Sequence, residues 1–79
     1  MAKKLDPPDP ELAAFGRRLR ELRYEAGLTQ EALAEASTLH RSFIGQVERG
    51  IRNVTLRSIL KLARGLGREP HELLLPAAE

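Results

Sequence analysis

Apolar residues recur along this chain at the three- and four-residue spacing of amphipathic helices, and no segment alternates convincingly with period two. Leu12, Phe15, Leu19, Leu22 and Ala26 form a first stripe, with Arg17, Arg18, Glu21 and Glu25 off it. Asp9 can cap the orphan N–H groups at its start, Pro10 suits the first turn, and Glu11 complements the positive end of the dipole. Gly27 ends the helix by supplying a left-handed residue. Thr29 then caps a short second helix, Gln30 to Ala36, with Leu33 and Ala36 on one side. Small residues at Ala32, Ala34 and Ala36 allow another helix to approach closely.

A third segment runs from about His40 to Arg49, with Ile44 and Val47 inward and Arg41, Ser42, Gly45, Gln46 and Arg49 outward, until Gly50 stops it. Thr55 caps a fourth helix whose Leu56, Ile59, Leu60 and Ala63 face inward and which closes at Gly65-Leu66-Gly67. Pro70 opens a last short helix carrying Leu73, Leu74 and Leu75 before Pro76 halts it. The pattern therefore predicts an all-α fold of five helices. Residues 1–8, polar and proline-rich, read as a flexible tail, and residues 9–79 as a single domain.

Composition narrows the function. At 79 residues the core is thin, and without cysteine neither a disulfide nor a thiolate metal site supports it. His40 and His71 are too few and too separated for a structural zinc. No nucleophile with a base, no glycine-rich phosphate loop and no metal-ligand cluster is present, which argues against an enzyme, a cofactor or a small-molecule ligand. No run has membrane-spanning or signal-peptide length, so the cytoplasm is the expected compartment. The formal charge of +2 is unevenly placed: residues 38–68 hold seven Lys and Arg (Arg41, Arg49, Arg52, Arg57, Lys61, Arg64, Arg68) against Glu48 alone. An anionic partner and a merely solvated basic face account equally well for that concentration of charge.

Position decides between them. Two short helices joined by a three- or four-residue turn, the second amphipathic and basic, can lay a helix in the major groove, and Gln30 to Val47 fits that arrangement. The stretch TQEALAEASTLHRSFIGQVERG resembles the lambda-repressor-like helix-turn-helix family, and the resemblance extends over residues 12 to 75. A narrower likeness, in HRSFIGQVERGIRNVTLRSILKLARGLG and in size, is to the small controller proteins of bacterial restriction-modification systems.

The resemblance implies a transcriptional regulator that binds double-stranded DNA. It places Arg41, Ser42 and Gln46 at the base edges. Arg offers two parallel hydrogen bonds to guanine, Gln pairs similarly with adenine, and Ser is permissive. It implies backbone contacts for Gln30, His40, Arg49, Arg52, Asn53 and Arg57, with base contacts also open to Arg52 and Asn53. Lys61, Arg64 and Arg68 read as a solvated face. Glu48, the one acid in the basic stretch, is implied to pair with Arg23 of the first helix.

Two positions depart from the family pattern. Thr38 stands where Gly or Asn is common in the turn, and its β-branch resists positive φ. His40 replaces the usual Ser, Thr or Asp cap of the reading helix, a loss of about 1 kcal/mol. One reading helix covers too few base pairs to define a genomic site, so a homodimer on a near-palindromic operator is expected, with Leu66, Leu73, Leu74 and Leu75 as the seam. A protein-interaction module that buries its apolar C-terminal segment in a partner shares this fold and stays open at this point.

Overall fold

Asp9 accepts hydrogen bonds from the backbone N–H groups of Glu11 at 2.9 Å and Leu12 at 3.2 Å, and this cap launches α1, Pro10–Glu25. In the computed structural model, which describes residues 9–78, three further α-helices and a short 3-10 helix follow, and no strand occurs among the described residues. The tail expected at residues 1–8 lies outside that range. α2 spans Gln30–Ser37 and is capped by Thr29, whose hydroxyl accepts from Ala32 N–H at 3.0 Å. α3 spans Arg41–Glu48, and α4 spans Leu56–Leu66 behind a Thr55 cap that accepts from Ser58 N–H at 3.1 Å.

The fifth expected helix is a 3-10 helix, Pro70–Leu74, so the α-helices number four among the described residues. Its brevity explains its form: Pro70 and Pro76 leave five residues between them, too few for sustained i to i−4 bonding. Glu72 steadies it by accepting from the backbone N–H of Glu69 at 2.9 Å.

Each element contributes to one core: Leu19 and Leu22 of α1, Leu33 and Ala34 of α2, Ile44 and Val47 of α3, Leu62, Ala63 and Leu66 of α4, and Leu73. α2 packs on α4 and α1 on α3. The α1 to α3 contact depends on Gly16, because a Cβ there would lie 2.4 Å from the carbonyl oxygen of Val47 and 2.6 Å from that of Glu48. Gly50 serves the same contact twice over, with φ at +75° and a Cβ position only 2.7 Å from the Cα of Ala13.

Several sequence expectations shift once the helices pack. Ala26 and Ala36 are exposed, and Gly45, expected outward, is buried. Leu56 is 71% exposed because it occupies the first turn of α4, while Leu62 takes the inward place one and a half turns on. Leu66 and Leu73, expected in a dimer seam, are only 7% and 1% exposed, since the 3-10 helix folds back against α1 and α4 and closes the end of a small core. Leu74 and Leu75 stay 67% and 48% exposed.

Candidate nucleic-acid interface

The α2 to α3 connection sets the aim of α3. Ser37 ends α2 with its hydroxyl donating to the carbonyl of Leu33 at 2.6 Å, and Thr38 follows in the left-handed region at φ 55°, ψ 43°. That conformation costs a β-branched residue roughly 1–2 kcal/mol. It lets Leu39 N–H reach back to Ala34 O at 2.9 Å, which satisfies an orphan carbonyl and redirects the chain. Leu39 packs against the core beyond the turn. His40 stands at the N-cap of α3 without a side-chain cap bond, so its side chain satisfies none of the orphan N–H groups of the first turn.

α3 presents two unlike sides. Ile44 and Val47 are fully buried, whereas Arg41, Ser42 and Arg49 are exposed and Gln46 is half-buried. Gly45, buried between them, has Gln30 and Arg49 as its nearest side-chain neighbours. Together Gln30, His40, Arg41, Ser42, Gly45, Gln46 and Arg49 line an open concavity of about 460 Å³. Among the described residues Arg41, Arg49 and Arg57 make no ion pair. Arg57 and Asn53 are exposed beside α3 in sequence, Arg57 in the first turn of α4 and Asn53 in the loop before it, where its side-chain oxygen accepts from Val54 N–H at 2.8 Å.

Arg52 is held differently. Its Nη1 donates to Gln46 Oε1 at 2.9 Å, and its guanidinium carbon lies 5.4 Å from the centroid of the Phe43 ring. Phe43 was not among the expected site residues; nothing local in the sequence marks it, because the loop after Gly50 must first return Arg52 over α3.

Behind this face lies a buried charge cluster. Arg23 Nε donates to Glu48 Oε2 at 2.6 Å and its Nη2 to Glu48 Oε1 at 2.9 Å, while Nη1 donates to the carbonyl of Leu28 at 3.0 Å. Gln30 Nε2 adds a bond to Glu48 Oε1 at 3.1 Å, and Arg20 Nε lies 3.4 Å from the same oxygen. Burial by itself would raise the Glu48 carboxyl, yet the hydrogen bonds from Arg23, Gln30 and Arg20 outweigh it and hold the group below the usual glutamate range. One carboxylate thus joins α1, the first residue of α2 and the last residue of α3, and turns the acid of the basic stretch away from the outer face.

Arg68, expected on a solvated face, is paired instead. It donates to Glu25 Oε1 at 2.7 Å and to Glu72 Oε1 at 3.0 Å, because the chain reverses at Gly67 and lays it between α1 and the 3-10 helix. Lys61 is half-buried and Arg64 exposed on α4.

This geometry can be set beside known proteins. A family described as a helix-turn-helix domain matches the chain over residues 14–75. The control protein C.BamHI of Bacillus amyloliquefaciens is 43% identical over 61 residues, covering 76% of this chain and 75% of that protein. The control protein C.SmaI of Serratia marcescens is 48% identical over 60 residues, covering 76% of this chain and 71% of its own. Among solved structures, the restriction-modification controller protein C.AhdI from Aeromonas hydrophila superposes with a TM-score of 0.81 at 58% identity, covering 82% of this chain and 98% of that one.

Proposed function

The chain belongs to the helix-turn-helix family of DNA-binding transcriptional regulators, and from that premise we propose that it is a restriction-modification controller, a homodimer that binds a near-palindromic operator in the cytoplasm. The observation that carries this reading is the outer side of α3, where Arg41, Ser42 and Gln46 stand at the surface on a helix anchored by Ile44 and Val47. Arg41 takes a guanine edge through two parallel bonds, and Ser42 reads beside it.

Phosphates are clamped at the rims of that helix. Arg49 and Arg57 supply cations, and His40 and Asn53 flank them. Gln30, whose side-chain nitrogen is committed to Glu48, takes a phosphate through its backbone N–H in the first turn of α2, at a helix N-terminus. The seam between two copies uses Leu74 and Leu75, the C-terminal leucines that the monomer leaves exposed. Two reading helices then fall about 34 Å apart, one turn of duplex.

Selection of bound sequences from a random duplex pool tests the reading. An inverted repeat with half-sites about one helical turn apart is the expected result. A lone half-site would remove the dimer, and no enrichment would remove sequence-specific binding altogether.

A further inference from the structure

We propose that Gln46 and Arg52 form one donor-only reader of guanine, in which Gln46 positions Arg52 instead of reading adenine on its own. The inference rests on the DNA-binding reading above and assigns the base that this part of the surface selects.

The argument begins with the amide. To recognise adenine by two bonds, a glutamine must accept from the N6 amino group through its oxygen and donate to N7 through its nitrogen. In this protein the oxygen of Gln46 already accepts from Arg52 Nη1 at 2.9 Å. A second lone pair remains on that oxygen, but the neighbouring guanidinium fills the approach with N–H donors and positive charge, so an incoming amino group would meet donors like itself. Turning the amide over does not help, since its NH2 would then face the N–H groups of Arg52. The cation therefore fixes the orientation of the amide as well as occupying its acceptor.

What remains outward carries one sign of hydrogen bond. Gln46 Nε2 and the free N–H groups of Arg52 are all donors. Guanine alone among the bases offers two acceptors, N7 and O6, on its major-groove edge; adenine pairs an acceptor with a donor, cytosine shows a donor, and thymine one acceptor beside a methyl. Phe43 completes the device. Its half-buried ring lies under the guanidinium at 5.4 Å from the centroid and restricts the plane in which the remaining N–H groups are offered. Arg52 belongs to the irregular segment between α3 and α4 and would otherwise sample many rotamers. Gln46 and Phe43 lie three residues apart on α3 and give the long side chain two points of support.

The test compares base preferences selected from a random duplex pool by the wild-type protein and by Gln46→Ala, Arg52→Ala, the double variant and Arg41→Ala, with thermal unfolding of each as a check on the fold. The wild type is expected to enrich a guanine that both Gln46→Ala and Arg52→Ala relax by about tenfold at the same position. The double variant should relax it no further than Arg52→Ala does, as expected for groups acting as a unit. Unchanged melting temperatures would accompany that result, since a purely structural role would lower them and leave base preference intact. Relaxation of an adenine by Gln46→Ala, relaxation at two different positions, or losses that multiply in the double variant would each overturn the pair while an Arg41-dependent motif kept the operator reading standing. A pool without any enriched motif would overturn both.

Discussion

Two groups of arginines in this small protein behave oppositely. On the α1 and C-terminal side Arg18, Arg23 and Arg68 are held by carboxylates of the same chain: Arg18 by Glu21, Arg23 by Glu48, and Arg68 by Glu25 and Glu72. Around α3 the arginines have no carboxylate among the described residues; Arg41 and Arg49 stand exposed, and Arg52 leans on an amide and an aromatic ring. A paired guanidinium presents little net field to a distant anion, while an unpaired one keeps its charge for a phosphate or a base. The net charge of +2 therefore hides two arrangements: one group of cations ties elements of the fold together, and the other stays free of carboxylates, as the proposed contact with DNA requires.

The largest expected effect comes from the paired side. Glu48→Ala would leave the Arg23 guanidinium buried without its partner, a change that typically costs about 3–5 kcal/mol. Urea denaturation should show a lower midpoint with an unchanged slope. The same contact gives an acid dependence whose sign follows from its direction. Glu48 is held below its ordinary value of 4.5, so its contribution is present above that pH and is lost as pH falls through the lower folded value. Stability measured downward from pH 5 should fall more steeply in the wild type than in Glu48→Gln. Parallel curves would place the acid sensitivity elsewhere.

On the free side the expectation is reversed. Arg41→Ala should weaken operator binding by about 1–3 kcal/mol and relax preference at one base, yet change unfolding by no more than about 0.5 kcal/mol. Equal loss on operator and random duplexes would make Arg41 a phosphate contact instead.

Much of the scaffold was legible because its signals are local. Asp9, Thr29 and Thr55 cap helices within three residues of themselves, and Gly27, Gly50 and Gly67 adopt positive φ where the stripes stop. The candidate surface followed from the phase of α3 and the family resemblance. What escaped was non-local. Gly16 reads as an ordinary helix residue until the carbonyls of Val47 and Glu48 are brought against it. Arg68 reads as solvated until the turn at Gly67 carries it to Glu25, forty-three residues away. Leu66 and Leu73 look like surplus apolar surface only if the 3-10 helix is not seen to fold back and use them. Phe43 becomes part of the site only when the loop delivers Arg52.

Salt titration separates the two sets of arginines more finely. Each phosphate neutralised in a DNA complex contributes about 0.9 to the slope of log affinity against log salt. Arg49→Ala should therefore lower that slope by about one, and Arg68→Ala should leave it unchanged although both remove a single positive charge. Equal changes would mean that the intramolecular pairs of Arg68 open on binding and that the division between the two regions fails in the complex.

Thr38 belongs to neither set and offers the smallest effect, one of conformation alone. It is the one non-glycine residue with positive φ among the described residues, and it holds the turn that aims α3. Asparagine tolerates the left-handed region better than a β-branched residue, so Thr38→Asn should raise stability by about 0.5–1 kcal/mol. The gain is opposed by loss of the bond from the Thr38 hydroxyl to the carbonyl of Ser37 at 2.6 Å, but that bond is exposed on one side and water can replace it. Because no charge changes, the salt slope should stay where it is. A rise in stability with operator affinity unaltered would show that α3 is aimed by packing on α1 and α2 and that the strain at Thr38 is a tolerated cost of the turn. A fall in affinity without a change in slope would instead make the left-handed threonine itself part of how the reading helix is set, since the cations would still be present but differently directed.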